Sequence, residues 1–407
     1  VKPTEVYAIL NVFGPNTVST EGPEWKRHRR ITAPTFSERN NKFVWDETLR
    51  VLDDMFDAWG RNTPEIFADD VVEITKPLAL LVISAASMIT FNSCLQNSNF
   101  QKCSAAGHSQ RYTPIFIVDI PTQNMAIAPI THETNVICTS NLVEDVCECG
   151  VCETEMLAYM REMIAERREY PELNSQADLF GILLENVDNK EAEDPLTDDE
   201  MIGDVFIYLV AGHETTAHTL CFAFALLALE QEEQERLYRN VISILPKDEI
   251  PRNHKDYTYM ASLSAMYETL RMFPVVQAFM RIAAEDSTLP TVGPDGRIVT
   301  LPVPKGCWIA LNLSGLHYNE RHWEDPHVYR TSRFLGPDNK DAFMGFATGA
   351  RACLGRKLAE TETVTIISTV ISKYKVDLKN PEAYEGLTYL EKREELMGNW
   401  RVGISTT

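Results

Sequence analysis

The sequence predicts a mainly α protein with small β-sheets. Two observations carry this. Apolar residues recur at helical spacing over residues 40–60, 153–168, 198–242, 257–273 and 355–373, whereas strand and turn signals are confined to 275–312 and the C-terminal end. At 407 residues and 44% hydrophobic, the chain can bury a large core in a single domain spanning 1–407. A net charge of −21 excludes a nucleic-acid binder, because phosphate contacts require clustered Lys and Arg. The local exception is Lys26-Arg27-His28-Arg29-Arg30. No apolar run reaches the roughly 18 to 20 residues of a membrane span. Leu78 to Phe91 is shorter, carries Ser84, Ser87 and Thr90, and reads as a buried core helix.

Taken in order, the elements have local causes. Trp25 and Arg29 stand four apart on a helix near the N-terminus. Residues 92–152 then break the pattern: six of the nine cysteines lie there, without helical or strand periodicity, and so long a structureless run is foreign to a compact domain. The segment reads as a misread exon boundary or reading frame. Its Cys147-Glu148-Cys149-Gly150-Val151-Cys152 run has thiolate spacing that can share a metal, but no histidine or fourth thiol completes a set. Glu191 to Pro195 forms a solvated acidic loop. Leu196-Thr197-Asp198-Asp199-Glu200-Met201 follows, a capping box of Thr197 with Glu200 and a staple of Leu196 on Met201. The helix it opens is apolar on several sides, through Phe206, Leu209, Val210, Ala217, Leu220, Phe224 and Leu227, so it is buried. Glu268 and Arg271 share a face of the next helix, which Pro274 ends. Turns at Pro294-Asp295-Gly296 and Pro304-Lys305-Gly306 flank short strands, Arg297 to Leu301 and Cys307 to Leu311. A last long helix starts near Gly355, with Leu358, Ala359, Val364, Ile366, Ile367 and Val370 on its apolar positions.

The chemistry concentrates at two places. Cys353 lies in Phe346-Ala347-Thr348-Gly349-Ala350-Arg351-Ala352-Cys353-Leu354-Gly355, immediately before that last helix. The helix aims its free N–H groups and positive dipole end at the sulfur, which favours the thiolate. Gly349 permits a turn, Gly355 lets backbone approach a flat ligand, Phe346 covers the sulfur side, and Arg351 can neutralise a carboxylate. The second place is Ala211-Gly212-His213-Glu214-Thr215-Thr216, inside the long helix. A glycine there costs about 1 kcal/mol relative to alanine, so it serves close helix packing or a ligand. Thr215 can bond back to the carbonyl near Ala211, and Glu214 with Thr215 makes an acid–alcohol pair able to deliver protons. His213 and His218 fall on different helix faces, which suits packing rather than a shared metal. His317 and His322 read as surface or turn residues.

The decapeptide resembles, at every fixed position, the haem-binding signature of the haem-thiolate monooxygenases, the cytochromes P-450. Ala211 to Thr215 resembles that family's oxygen-activating motif, and Glu268 with Arg271 its Glu-x-x-Arg motif. Tyr329 to Phe334 is similar to its Phe-x-Pro-x-Arg-Phe segment, with Tyr329 for the first Phe and Thr331 for proline, and Trp25 with Arg29 to its Trp-x-x-x-Arg. The resemblance covers about residues 10–90 and 155–405 and implies the family's triangular, mainly α fold around haem b. It implies Cys353 as the axial ligand to iron, pushing electron density that favours O–O cleavage. Ala211 and Gly212 then keep bulk away from bound oxygen, while Glu214 and Thr215 manage protons. Trp25, Arg29, Arg281 and Arg351 meet the propionates, and Arg333 completes an ion cluster with Glu268 and Arg271, in a loop that Thr331 is expected to loosen. Residues near Tyr208 and Val275 to Phe279 line the substrate pocket.

The implied activity inserts one oxygen atom from O2 into a lipophilic organic substrate, with electrons from NADPH through a reductase. Lys26, Arg27 and Arg30 are then available to an acidic redox partner. The Glu21 to Arg30 segment is similar to microsomal fungal members, so the expected location is the cytosolic face of the endoplasmic-reticulum membrane, with an anchor and part of the β-region preceding Val1. Three alternatives accompany this reading. They are a reductase-independent haem-thiolate isomerase or dehydratase, against which the acid–alcohol pair argues, a degenerate non-catalytic haem-binding paralogue, and a zinc-dependent interaction protein using Cys147, Cys149 and Cys152.

Overall fold

The structure is a computed structural model that describes residues 1–60, 65–68, 70–87, 150–171, 178–189, 194–244, 260–293, 295–336 and 340–397. Residues 92–149 lie outside the described residues, and with them Cys147 and Cys149; so does the side chain of Cys152. The described helices are α1 (Thr4–Tyr7), α2 (Gly22–Thr32), α3 (Glu38–Trp59), α4 (Val72–Ser87), α5 (Gly150–Glu169), α6 (Leu179–Val187), α7 (Asp198–Leu229), α8 (Gln231–Ile244), α9 (Met260–Met272), α10 (Leu313–His317), α11 (Arg356–Lys373) and α12 (Tyr389–Met397). Four strands accompany them: β1 (Ala278–Ile282), β2 (Ser287–Val292), β3 (Ile298–Val303) and β4 (Trp308–Asn312).

Among the described residues α7 is the hub, with α4, α6, α8, α9, α11 and α12 packed on it. Its capping box is formed: the Glu200 N–H donates to Thr197 Oγ1 at 3.3 Å, and the Thr197 N–H donates to the Glu200 carboxylate at 2.9 Å. Leu196 and Met201 are both buried in the main core. The helix stops at Glu230, which leaves helical geometry at ψ 70°, and α8 starts at once. The continuous periodicity over 198–242 is therefore two helices. The acidic run explains the restart, since Glu232 and Glu233 in a first turn meet the positive end of a new dipole, where carboxylates are favoured.

Helix α4 runs along α7 and also meets α3, which in turn packs on α11. The loop between α1 and α2 seats directly on the first turns of α7. Asn16 organises it, its side-chain oxygen accepting from the Val18 and Ser19 N–H groups at 3.0 Å each. Thr17 is thereby aimed at Asp204. Gly203 makes the approach possible, because a Cβ there would lie 2.6 Å from the Pro15 carbonyl oxygen and 2.7 Å from that of Gly14.

The small sheets are antiparallel pairs. β1 pairs with β4, with Ala278 opposite Asn312, and β2 pairs with β3, with Ser287 opposite Val303. Val1 joins the first pair, exchanging two 2.8 Å backbone hydrogen bonds with Ile282. Near the C-terminus a turn-rich segment, 374–388, with a β-bridge at Leu378, leads into a helix, α12, that the sequence did not suggest, and residues 398–407 lie outside the described residues. A second capping box opens α12, in which the Glu391 N–H donates to Thr388 Oγ1 at 3.3 Å and its carboxylate accepts from the Thr388 N–H at 2.7 Å.

Gly203→Ala forces two carbonyls apart and should cost about 1–3 kcal/mol of stability, read as a lowered midpoint in urea unfolding.

Candidate active site

The site is assembled where the start of α11 meets the middle of α7. The segment before α11 folds back on itself, with the Cys353 N–H donating to the Phe346 carbonyl at 3.0 Å and that of Ala352 to Gly349 at 3.1 Å. Gly349 has φ +70° with no atom near a would-be Cβ, so the backbone conformation, not crowding, asks for glycine. Ala347 takes the same left-handed region at φ 56°, an uncommon choice for a residue with a side chain. The two turns present Cys353 to a cavity of about 370 Å³ whose walls are mostly apolar.

The sulfur is subject to opposed forces. The Gly355 N–H, Arg29 and Arg356 all favour the anion, but removal from bulk water outweighs them and pushes the Cys353 thiol up. The helix end favours the thiolate, in the direction expected from the sequence. A metal cation at the sulfur would reverse the balance. Phe346, Gly355 and Leu358 line the cavity beside the sulfur, and Gly349 does not.

Helix α7 supplies the opposite wall through Ala211, Gly212 and Thr215. The Thr215 hydroxyl donates to the Ala211 carbonyl at 2.7 Å, without interrupting the helix. A Cβ on Gly212 would lie 2.8 Å from Cγ1 of Ile83, so this glycine also admits α4 against α7. Glu214 is buried, at 1% exposure, but is not among the residues that line the cavity. His213 and His218 bond back to the carbonyls of Leu209 and Glu214, each at 2.8 Å. Tyr208, Val275 and Phe279 do line the cavity.

One end of the cavity is cationic. Arg351 stacks over Trp25 at 4.0 Å, donates to the Thr20 carbonyl at 2.9 Å and pairs with Glu21 at 2.5 Å. Arg29 donates to the Ala352 carbonyl at 2.8 Å, and Arg281 to that of Met280 at 2.8 Å. Lys2 joins them, a residue that no motif marks. Burial and the charges of Arg351 and Arg281 lower its ammonium to about 7, with Glu21 opposing. Four cations thus line this end, and Glu21 pairs with only one of them. An apolar slot with a free sulfur on one wall and surplus positive charge at one end fits a flat, largely apolar, iron-bearing group with acidic substituents, which is the chemistry of haem b.

A buried ion cluster backs the site. Both oxygens of Glu268 accept from Arg271, at 2.7 and 2.9 Å, and one also accepts from Arg333 at 3.1 Å and from the Arg330 N–H at 3.0 Å. The departures at 329 and 331 tighten the loop rather than loosening it. The Tyr329 hydroxyl donates to the Ala265 carbonyl at 3.3 Å, and the Thr331 hydroxyl to Glu233 at 2.7 Å. His317 also differs from its expected surface position. It is wholly buried and links the end of α9, through the Arg271 carbonyl at 3.1 Å, to the Met344 N–H at 3.0 Å. Arg27, expected to face a partner, is instead tied to Glu200 and Asp194, leaving Lys26 and Arg30 exposed.

Comparison with known proteins agrees with this geometry. Residues 5–390 match the family Cytochrome P450. Cytochrome P450 monooxygenase 124 of the fungus Postia placenta is 39% identical over 97% of this chain and 75% of its own length. Cytochrome P450 monooxygenase ORF6 of Penicillium roqueforti is 29% identical over 93% of this chain and 70% of its own. The fold is that of the solved cytochrome P450DA heme domain, with a TM-score of 0.66 at 22% identity over 90% of this chain and 74% of that one. The chain belongs to the cytochrome P450 family. It is a haem-dependent monooxygenase, an oxidoreductase that uses thiolate-ligated haem iron, O2, an organic substrate and a redox partner.

Burial lowers the His317 imidazole from 6.5 to about 4. The unfolded chain protonates this histidine first as pH falls, so its contribution is intact above about 6.5 and is lost toward 4. Up to about 3 kcal/mol should disappear over that window, and urea unfolding at a series of pH values should show a shallower loss in His317→Asn.

Proposed function

We propose that Cys353 supplies the thiolate for the haem iron, with Phe346, Gly349 and Gly355 shaping its loop. Trp25, Arg29, Arg281, Arg351 and Lys2 hold the acidic substituents of the haem. The observation that carries this reading is the placement of one free sulfur and four cations on the same apolar cavity. Haem bound there would supply O2 activation, with two electrons from the redox partner and two protons, so that one oxygen atom enters the substrate and the other leaves as water.

The protein's own share of the work is positional. Ala211 and Gly212 keep the α7 wall low above the cavity. The Thr215 hydroxyl, held on the Ala211 carbonyl, is placed to orient water and hand a proton inward, with Glu214 behind it as the buried acid. Ile207, Val210, Val275, Val276 and Phe279 offer the substrate only apolar contacts, which favours a lipophilic molecule. The exposed Lys26 and Arg30 give basic groups for an acidic, NADPH-dependent reductase, whereas Arg356 and Lys357 are both paired with Glu360. The endoplasmic-reticulum membrane is the location in which such a reductase meets a fungal enzyme of this sequence style. No described helix is long and apolar enough to cross a membrane, so attachment rests on the resemblance of residues 21–30 to microsomal members.

The carbon monoxide difference spectrum of the reduced, haem-loaded protein tests the ligand. A thiolate-type Soret band should be present in the parent and absent in Cys353→Ser, and a band retained in the variant removes Cys353 from the role. Lys2→Met should weaken haem binding about tenfold, measured by titrating haem into apoprotein, because one charge-assisted contact is lost.

A further inference from the structure

His28 stands in the basic run of α2, yet nothing in the cavity uses it. It is fully buried between α2 and α7, with Nδ1 2.7 Å from Oδ2 of Asp204, itself at 0% exposure. The other Asp204 oxygen accepts from the Thr17 N–H and the Thr17 hydroxyl, both at 2.6 Å. Nδ1 is taken up by the Asp204 contact, and Nε2 faces away from it. Nε2 makes no hydrogen bond, and it lies 3.6 Å from Oε1 of Glu200. Glu24, one helical turn before His28 on the surface of α2, completes a set whose three ligand atoms lie within 4.8 Å of one another.

We propose that Glu24, His28 and Glu200 bind a divalent cation of zinc type, with solvent completing the coordination. One imidazole nitrogen and two carboxylates suit zinc. A carboxylate on the far ring nitrogen, here Asp204, fixes the tautomer and raises the basicity of the ligating nitrogen. Zinc–ligand distances of about 2.0–2.2 Å require the set to contract, and the exposed Glu24 is the group free to rotate inward. Glu200 binds through Oε1 while its other oxygen stays on the Thr197 N–H. Arg27 also touches Oε1, and it has Asp194 at 3.5 Å and the Pro195 carbonyl at 3.2 Å to turn to. The bound ion joins α2, which carries Trp25 and Arg29, to α7, which carries Thr215, from outside the cavity.

Calorimetric titration of the haem-loaded protein with zinc chloride near neutral pH tests the site, with Glu24→Gln beside the parent. Glu24 is a surface residue, so the variant should fold normally. The parent should bind one equivalent, gain Tm on zinc addition and lose the gain with a chelator, while the variant binds at least about tenfold more weakly and gains no Tm. Absence of saturable binding overturns the proposal. So does equal binding and an equal Tm gain in both proteins, which would place the zinc on thiols elsewhere.

Discussion

A single buried carboxylate fixes the frame on which the site is built. Glu268 is wholly excluded from solvent, and its charge is compensated by Arg271, Arg333 and the Arg330 N–H. Taking three charged groups out of water makes such a cluster a poor reservoir of stability, since their desolvation offsets most of the attraction. Its effect is geometric. Arg271 belongs to α9 and Arg333 to the segment ahead of the cysteine loop, so the carboxylate sets the position of one against the other. Arg271 also donates to the His317 carbonyl at 2.9 Å, and His317 in turn accepts from the Met344 N–H, 27 positions away but adjacent in space. Met344 stands just ahead of Phe346, whose carbonyl accepts from the Cys353 N–H, so this chain of contacts reaches the cysteine loop.

The cavity answers two demands that pull apart. Its walls must be apolar to take a flat organic group, while one end must tolerate several like charges. The guanidinium groups are kept there by short bonds to the carbonyl oxygens of Ala352, Met280 and Thr20, and of the three Arg351 also pairs with a carboxylate, Glu21. Lys2 is removed from water and set beside Arg351 and Arg281, and burial first, then those charges, lower its ammonium. Crowded positive charge in low dielectric is unfavourable until an anion arrives, so that end of the molecule is poised for acidic groups.

Much of this was legible in the sequence where the cause is local. Thr197 with Glu200, Glu268 with Arg271, and Thr215 with the Ala211 carbonyl are contacts within one helical turn, and spacing alone proposes them. Contacts that join distant segments carried no such signal. Thr17 meets Asp204 across 187 positions and His28 meets the same residue across 176, and neither pairing leaves a trace in periodicity. Lys2 and His317 were invisible as functional residues for the same reason. The end of α7 was legible, since its apolar spacing runs out into the acidic Glu230 to Glu235 stretch, whereas the immediate restart as α8 was not. The thiol of Cys353 shows the same division: the helix end that favours the anion is visible in sequence, whereas the apolar cavity that opposes it is built from distant segments.

The contact between Gly212 and Ile83 binds two positions into one volume. The space that a side chain at 212 would fill is already held by the branched side chain of a different helix. Sequence drift can therefore enlarge residue 212 only in step with a smaller residue at 83. The two should covary among descendants of this chain, and headroom above the cavity is inherited as a property of the pair.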